Sequence, residues 1–302
     1  MEDANSGGDG AGGVRDGTVS AADLYERLVT GERVSLLDVR DREEFEEWHI
    51  DGPNAQVAQV PYVKAVQANV TDSVDGLVAD AGLEAPIVVV CARGEASAEV
   101  AGYLTDAGIE AVNLADGMEG WGQVYVAHDL DAGDATVVQY ERPATGCLSY
   151  LVVSEGEAVV VDPLRAFADR YVEDAGEATL RWAVDTHVHA DHVSGVRDVA
   201  RATGATAVLP AGANERGLAF EATLLADGDE LPVGETALRA VHAPGHTSEL
   251  VVLRLGSVLF SADALFLDGV GRPDLEAGAD GAAALARSLH ATLRERLLAL
   301  PD

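Results

Sequence analysis

The sequence predicts an α/β protein made of two domains. A length of 302 residues exceeds the usual size of a single domain. Short apolar runs rich in β-branched residues, such as 34–39 and 86–91, alternate with helical patterns and are typical of strands buried in a parallel sheet. After residue 126 the strand signals become closely spaced, so we expect a second α/β domain with more antiparallel strands.

The first domain is predicted over residues 17–126, after a Gly-rich acidic tail at 1–16 that we expect to be disordered. A helix should begin after Ser20, which is a good N-cap, and end at Gly31. The two buried strands follow. A helix from about Ala96 and a strand at 111–116 complete the domain.

The second domain is predicted over residues 136–302, after a polar linker at 127–135. Three strands, "VVQYE", "CLSYLVV" and "EAVVVDP", should come first. A helix, the strand "RWAVDTH", a helix at 194–203 and the strand "TAVLP" should follow. A hairpin-like set at 237–262 precedes a long final helix.

The chain is strongly acidic, with 52 Asp and Glu against 20 Lys and Arg and a net charge of -32. This negative charge repels phosphate backbones and anionic lipids, so we predict no nucleic-acid or membrane partner. Because the acids are spread along both halves, we favour adaptation to a high-salt cytoplasm over a site for cationic partners. The first residues lack the features of a signal peptide, and the two cysteines cannot form a disulfide framework, which also indicates the cytoplasm.

Cys91 stands between a predicted strand and a predicted helix. Free backbone N–H groups and the positive end of the helix dipole favour a thiolate at such a position, and Arg93 adds positive charge. This pattern is typical of a nucleophile that can carry a persulfide. The alternative is a buried cysteine that serves as a small apolar side chain.

Residues 17–126 resemble the rhodanese family of sulfurtransferases. The segments "LLDVRDREEFEEWHIDG" and "NLADGMEGW" are similar to that family in the order in which they occur. The resemblance implies that Cys91 accepts sulfur with Arg93 beside it, and that Asp38 and Arg40 are structural. It also implies a loop around the sulfane sulfur formed by Ala92, Gly94, Glu95, Ala96 and Ser97. The acidic Glu95 leaves the donor open between thiosulfate and another sulfane-sulfur compound.

The segment "THVHADH" at 186–192 places three histidines and an aspartate in seven positions. His187 and His189 should project from one side of a strand end, with Asp191 and His192 just beyond it. Two further pieces follow, His246 in "VHAPGHTSEL" and Asp263 in "LFSADALF". Imidazole and carboxylate ligands suit zinc, iron or manganese. The alternative is a run of surface or capping histidines.

These three pieces, in this order, resemble the metallo-β-lactamase superfamily, which implies an αββα sandwich with metal at the sheet edges. Members usually continue into a further strand with another histidine, but this sequence stops at Asp302. We therefore expect either a sandwich that lacks its last elements or an incomplete sequence, and one metal instead of the two of many hydrolases.

The segment "GVGRPDL" at 269–275 resembles the persulfide dioxygenases within that superfamily. The resemblance implies one iron held by His187, His246 and Asp263. The residues implied to orient ligands and water are His189, Asp191 and His192. Arg272 is implied to contact the anionic end of the thiol, with a surface ion pair to Asp274 as the alternative.

The leading hypothesis is iron-dependent oxidation of a low-molecular-weight thiol persulfide to sulfite, coupled to sulfur transfer through Cys91. One alternative is a zinc-dependent thioester hydrolase of the glyoxalase II kind with an accessory sulfurtransferase domain. Another is a non-enzymatic sulfur carrier with a decayed metal site. Residue types alone do not choose iron over zinc, identify the thiol or decide whether the chain forms a homo-oligomer.

Overall fold

The computed structural model describes residues 17–133, 135–190 and 192–300. The predicted tail at 1–16 therefore lies outside the described residues. By its contacts the chain forms two compact units, one of residues up to 125 with 142–146 and one of residues 126–141 with 147 onward. The predicted α/β class is confirmed, with a parallel sheet in the first unit and two further sheets in the second.

The first unit is a five-stranded parallel sheet with helices between its strands. Its strands are β1 (Thr18–Val19), β2 (Val34–Asp38), β3 (Ala55–Gln59), β4 (Ile87–Val90) and β5 (Ala111–Leu114). Its helices are α1 (Ala21–Val29), α2 (Arg42–Glu47), α3 (Tyr62–Val70), α4 (Val74–Ala81), α5 (Glu95–Asp106) and α6 (Gly117–Trp121). The strand order is β1-β5-β4-β2-β3. Strands β2 and β4 lie inside this sheet and every residue in them is buried, as their apolar runs predict for a parallel sheet covered on both faces.

Two local predictions for this unit are confirmed. The Ser20 hydroxyl accepts a hydrogen bond from the backbone N–H of Asp23 at 3.0 Å and caps α1. The Asp38 carboxylate and the Arg40 guanidinium form a buried ion pair at 2.6 Å, and Arg40 also donates to the carbonyl of Trp48. This pair ties the end of β2 to the segment after α2, which is a structural role.

The second unit contains a seven-stranded sheet and a four-stranded sheet. The first is ordered β12-β11-β10-β9-β8-β7-β6 and the second β13-β14-β15-β16. The strands of the larger sheet are β6 (Val126–Asp131), β7 (Thr136–Arg142), β8 (Cys147–Ser154), β9 (Glu157–Val161), β10 (Thr179–Val184), β11 (Thr206–Pro210) and β12 (Thr223–Leu225). The smaller sheet has β13 (Glu230–Val233), β14 (Thr236–His242), β15 (Val251–Leu255) and β16 (Val258–Phe260). The α-helices are α7 (Ala168–Asp174), α8 (Val196–Thr203) and α9 (Asp274–Thr292), and short 3-10 helices include Ala262–Ala264.

One apolar core joins the two sheets of this unit. It contains buried residues from both, including Val159, Val184, Leu238 and Phe260. This packing brings the loops at the ends of β10, β14 and β16 into one unit, and these loops carry the candidate metal ligands.

The structure corrects two sequence predictions in this unit. The segment expected as a linker at 127–135 instead contains most of β6, which pairs antiparallel with β7. Nearly all of β6 is exposed, so it lacks the apolar pattern that marks a buried strand. Strand β10 ends at Val184, so His187 and His189 lie in the loop that follows and not on the strand end.

Among the described residues, no helix has both the length and the apolar character that a bilayer crossing requires.

Candidate metal centre and cysteine site

His187, His246 and Asp263 come together in the second unit, and their ligand atoms all lie within 4.8 Å of one another. The Nε2 atoms of His187 and His246 lie 3.9 and 3.4 Å from the Asp263 Oδ2 atom. Both histidines are buried, and Asp263 is partly exposed. Two imidazole nitrogens and a carboxylate oxygen at this spacing could hold one iron or zinc ion.

Glycines allow close packing of the loops that carry the candidate ligands His246 and Asp263. Gly245, just before His246, has a φ of +150°, and a Cβ there would collide with the side chain of Leu289. A Cβ on Gly271 would collide with the carbonyl oxygen of Asp263. The "PGH" and "GVGRPDL" segments therefore require glycine where they approach the rest of the site.

Asp162 fixes the orientation of the His187 ring through Thr186. Burial opposes ionisation of Asp162, but the charge and hydrogen bond of His189 and the Thr186 N–H hold its pKa below the ordinary value. An ionised carboxylate only accepts hydrogen bonds, so the Thr186 hydroxyl donates to Asp162 Oδ2 at 2.8 Å. The same hydroxyl oxygen, 2.9 Å from His187 Nδ1, then accepts the Nδ1–H. This leaves the Nε2 lone pair of His187 available to a cation.

His246 has the same tautomer for a different reason. Its Nδ1 lies 2.9 Å from the backbone carbonyl oxygen of Arg272, which can only accept, so Nδ1 carries the proton. The Nε2 lone pair therefore faces Asp263. Both histidines thus present a nitrogen suited to metal binding to the same carboxylate.

His189 points to a second, buried group instead. Its Nε2 lies 3.1 Å from Asp162 Oδ1 and 3.7 Å from Asp185 Oδ1. Burial disfavours the imidazolium, but Asp162 raises the pKa of His189 above its usual value. Burial also raises the pKa of Asp185 to about 6. The ligand atoms of Asp162, Asp185 and His189 are also close enough to hold a cation. Because the raised pKa favours a proton on His189, we describe this group as an ion pair between His189 and Asp162.

The remaining predicted residues of this region lie in different places. His192 packs against His189, with ring centroids 3.9 Å apart and ring planes tilted by 39°. Asp191 lies outside the described residues. The exposed guanidinium of Arg272 pairs with Asp274 at 2.7 Å, the alternative considered from sequence, whereas its carbonyl holds His246.

Cys91 follows β4 and is buried, with 6% of its surface exposed. The backbone N–H of Gly94 donates to Sγ at 3.1 Å, and the Ser97 hydroxyl donates at 3.0 Å. Burial opposes ionisation, but hydrogen bonds from Ser97 and from the backbone of Arg93 and Gly94 lower the pKa of the Cys91 thiol overall. The loop therefore favours a thiolate at the end of a strand.

The other loop residues divide by exposure. Gly94 and Ser97 are buried beside the sulfur, Ala96 is partly exposed, and Ala92, Arg93 and Glu95 are exposed. Arg93 forms an ion pair with Glu119 at 2.7 Å.

Sequence reasoning missed Asp162, Thr186 and Glu119. Asp162 follows the apolar strand β9, which is the same signal that revealed Asp263 and could have found it. Glu119 carried no signal of its own, because its contact with the loop exists only in the folded chain.

Residues 142–302 match the Metallo-beta-lactamase superfamily, and residues 20–123 match the Rhodanese-like domain. The chain therefore belongs to the metallo-beta-lactamase superfamily and carries a rhodanese-like domain before it. This agrees with the two resemblances found in the sequence.

Among curated relatives, the Homo sapiens protein "Persulfide dioxygenase ETHE1, mitochondrial" is 34% identical over 180 residues, covering 54% of this chain and 63% of that protein. A hydroxyacylglutathione hydrolase from Anaeromyxobacter dehalogenans is 37% identical over 123 residues, covering 41% and 48%. A solved metallo-beta-lactamase from Staphylococcus aureus is 29% identical with a TM-score of 0.51, covering 56% and 54%. The chain thus spans less than two thirds of the length of these relatives.

Proposed function

We propose that the second unit oxidises a low-molecular-weight thiol persulfide and that the rhodanese-like unit transfers sulfane sulfur through Cys91. In the overall oxidation, one persulfide, one dioxygen and one water give the thiol, sulfite and two protons. The observation that carries the proposal is the pair of imidazoles whose Nε2 atoms both face the Asp263 carboxylate. The persulfide dioxygenase relative and the "GVGRPDL" segment support this choice of substrate.

Iron(II) fits the donor set, because two histidines and one carboxylate leave coordination positions open to other ligands. His187, His246 and Asp263 would hold the ion, which would supply the redox chemistry that dioxygen requires. Thr186 and the Arg272 carbonyl keep both imidazoles in the binding tautomer. In this proposal the exposed Arg272 guanidinium contacts the anionic end of the thiol, exchanging Asp274 for the substrate.

A second candidate is a zinc-dependent thioester hydrolase, which the 37% identity to a hydroxyacylglutathione hydrolase favours. Zinc accepts the same ligands and would activate a water molecule to attack the thioester. The orientation of His189 towards Asp162 favours the dioxygenase, because this imidazole is directed at a carboxylate and not at the three-ligand group.

The decisive experiment measures metal content, oxygen uptake with glutathione persulfide and hydrolysis of S-lactoylglutathione on the same preparation. We expect iron and persulfide-dependent oxygen consumption with sulfite as the product. His246→Ala should abolish both metal binding and oxygen uptake. The control is His242→Ala, since His242 ends β14 and its Nε2 contacts the Ser248 carbonyl. A zinc protein that hydrolyses the thioester and ignores oxygen would overturn the proposal.

The sulfurtransferase half has its own test, mass spectrometry of the protein after treatment with a sulfane-sulfur donor. We expect one added sulfur atom on Cys91 and none in Cys91→Ser. Cys147→Ser is the matched control, because Cys147 is the second cysteine of the chain and is also buried. A sulfur atom found only on Cys147 would contradict the role of Cys91.

A further inference from the structure

Helix α6 packs its first residues directly on the Cys91 loop. The backbone N–H groups of Met118 and Glu119 donate to the carbonyls of Cys91 and Ala92 at 2.9 and 3.0 Å. Gly117 has a φ of +53°, and a Cβ there would collide with the Cys91 carbonyl. This close packing fixes the position from which the Glu119 side chain meets Arg93.

The charges around the loop are unfavourable to a dianion. Arg93 is the single basic residue between positions 91 and 97, and its Nε atom lies 2.7 Å from Glu119 Oε1. Glu119 first, and Glu95 more weakly, raise the pKa of the Arg93 guanidinium, so both carboxylates act on it. Arg40, after the neighbouring strand β2, is neutralised by Asp38 in the same way. Each of these two arginines is therefore already paired with a carboxylate.

We propose that the Glu119–Arg93 ion pair selects the sulfur donor of Cys91 by slowing the reaction with dianionic thiosulfate relative to the reaction with an alkyl persulfide. The inference rests on the proposed sulfur transfer through Cys91 and deepens it. Thiosulfate carries two negative charges next to the sulfur that is transferred, so it requires a free cation at the loop. An alkyl persulfide lacks this pair of charges and does not require a free cation at the loop.

The transfer itself needs no oxidant. The Cys91 thiolate attacks the outer sulfur of R–S–SH, a bond forms between Sγ and that sulfur, and the bond to the inner sulfur breaks. The thiolate R–S⁻ leaves, and the outer sulfur loses its proton to solvent. The Gly94 N–H and the Ser97 hydroxyl, which now donate to Sγ, lie beside the resulting persulfide anion.

The test compares the rate at which Cys91 gains sulfur from thiosulfate and from cysteine persulfide, at one fixed ionic strength, by mass spectrometry of the full chain. We expect wild type to react faster with cysteine persulfide. Glu119→Gln should raise the thiosulfate rate about fivefold by releasing Arg93, with little effect on the persulfide rate. The double variant Arg93→Ala/Glu119→Gln should lose this gain, which a purely structural role of Glu119 does not predict.

Glu110→Gln is the control for a general loss of negative charge. Glu110 is exposed and precedes β5, whereas Cys91 follows β4, so the two lie at opposite ends of these neighbouring parallel strands. The alkylation rate of Cys91 reports whether each variant keeps its loop intact. Equal rates with both donors in wild type, or an unchanged thiosulfate rate in an intact Glu119→Gln, would overturn the donor selection alone. No persulfide on Cys91 with either donor would overturn the sulfur transfer as well.

Discussion

Asp162 acts on the candidate metal centre through its neighbour. It occupies a backbone conformation with a φ of +50°, which is uncommon for a residue other than glycine. From there its carboxylate accepts both the backbone N–H and the hydroxyl of Thr186. The hydroxyl is thereby made an acceptor for His187, so a side chain outside the candidate ligand group sets the tautomer of one of its members.

Thr186→Val should weaken metal binding by about 10- to 100-fold, because valine keeps the shape of threonine but cannot accept the His187 Nδ1–H. Competition with a chelator measures the affinity. Thr247→Val is the matched control. Thr247 is also buried next to a candidate ligand, His246, but its hydroxyl has no hydrogen-bond partner among the described residues. Equal losses in both variants would contradict the role of the hydroxyl.

Ser97→Ala should raise the pKa of Cys91, because the variant loses the hydroxyl that donates to Sγ. The measurement is the rate of alkylation by iodoacetamide as a function of pH. In wild type the pKa of Cys91 is lowered, so the alkylation rate should reach its plateau at a lower pH than that of an ordinary cysteine. The curve of Ser97→Ala should move to higher pH. A shift to lower pH, or none, would show that this hydrogen bond does not stabilise the thiolate.

The loops after β10 and β14 are held together by a buried carboxylate. Glu249 accepts a hydrogen bond from the Val188 N–H at 2.9 Å and pairs with Arg216 at 2.9 Å. Its side chain is only 1% exposed, and Gly212 leaves room for it because a Cβ there would lie 2.6 Å from the Glu249 Cβ. Two of the loops that carry candidate metal ligands are thus joined by one side chain.

Glu249→Ala should lower the free energy of unfolding of the second unit by about 1–3 kcal/mol, because the Val188 N–H loses its acceptor, whereas Arg216 keeps an ion pair with Glu276 at 3.0 Å. Urea denaturation followed by circular dichroism measures the loss. Glu46→Ala removes an exposed carboxylate that pairs with Arg42 and should cause little change. Similar losses in the two variants would mean that burial of the pair is unimportant.

The sequence predicted those elements and site residues that carry an apolar or motif signal. Buried strands such as β4 were found from continuous apolar runs, and His187, His246 and Asp263 from motif order. Exposed β6 was missed because its residues do not alternate between apolar and polar. Glu119 and Glu249 were missed because they meet their partners across 26 and 33 or more positions of the chain, contacts that only the packed fold creates.

The net charge of -32 should make the stability of the whole chain depend on salt. Raising KCl from about 0.2 to 2 M should raise the midpoints of thermal unfolding by roughly 5 °C or more, as repulsion among carboxylates is screened. Scanning calorimetry at several concentrations measures the effect. If screening is the cause, the midpoint should rise most steeply at low salt and then reach a plateau. If salting-out is the cause, the midpoint should continue to rise with salt concentration. A midpoint that falls with added KCl would contradict the predicted adaptation to high salt.

Strand β6 ends the order of the seven-stranded sheet, and residues 127–131 within it are exposed. An outermost strand can recruit strands from other molecules and so begin aggregation. Here that edge carries Asp129 and Asp131, and a second copy added alongside would bring like charges together. The same acidity that covers the chain therefore protects this edge against unwanted self-association.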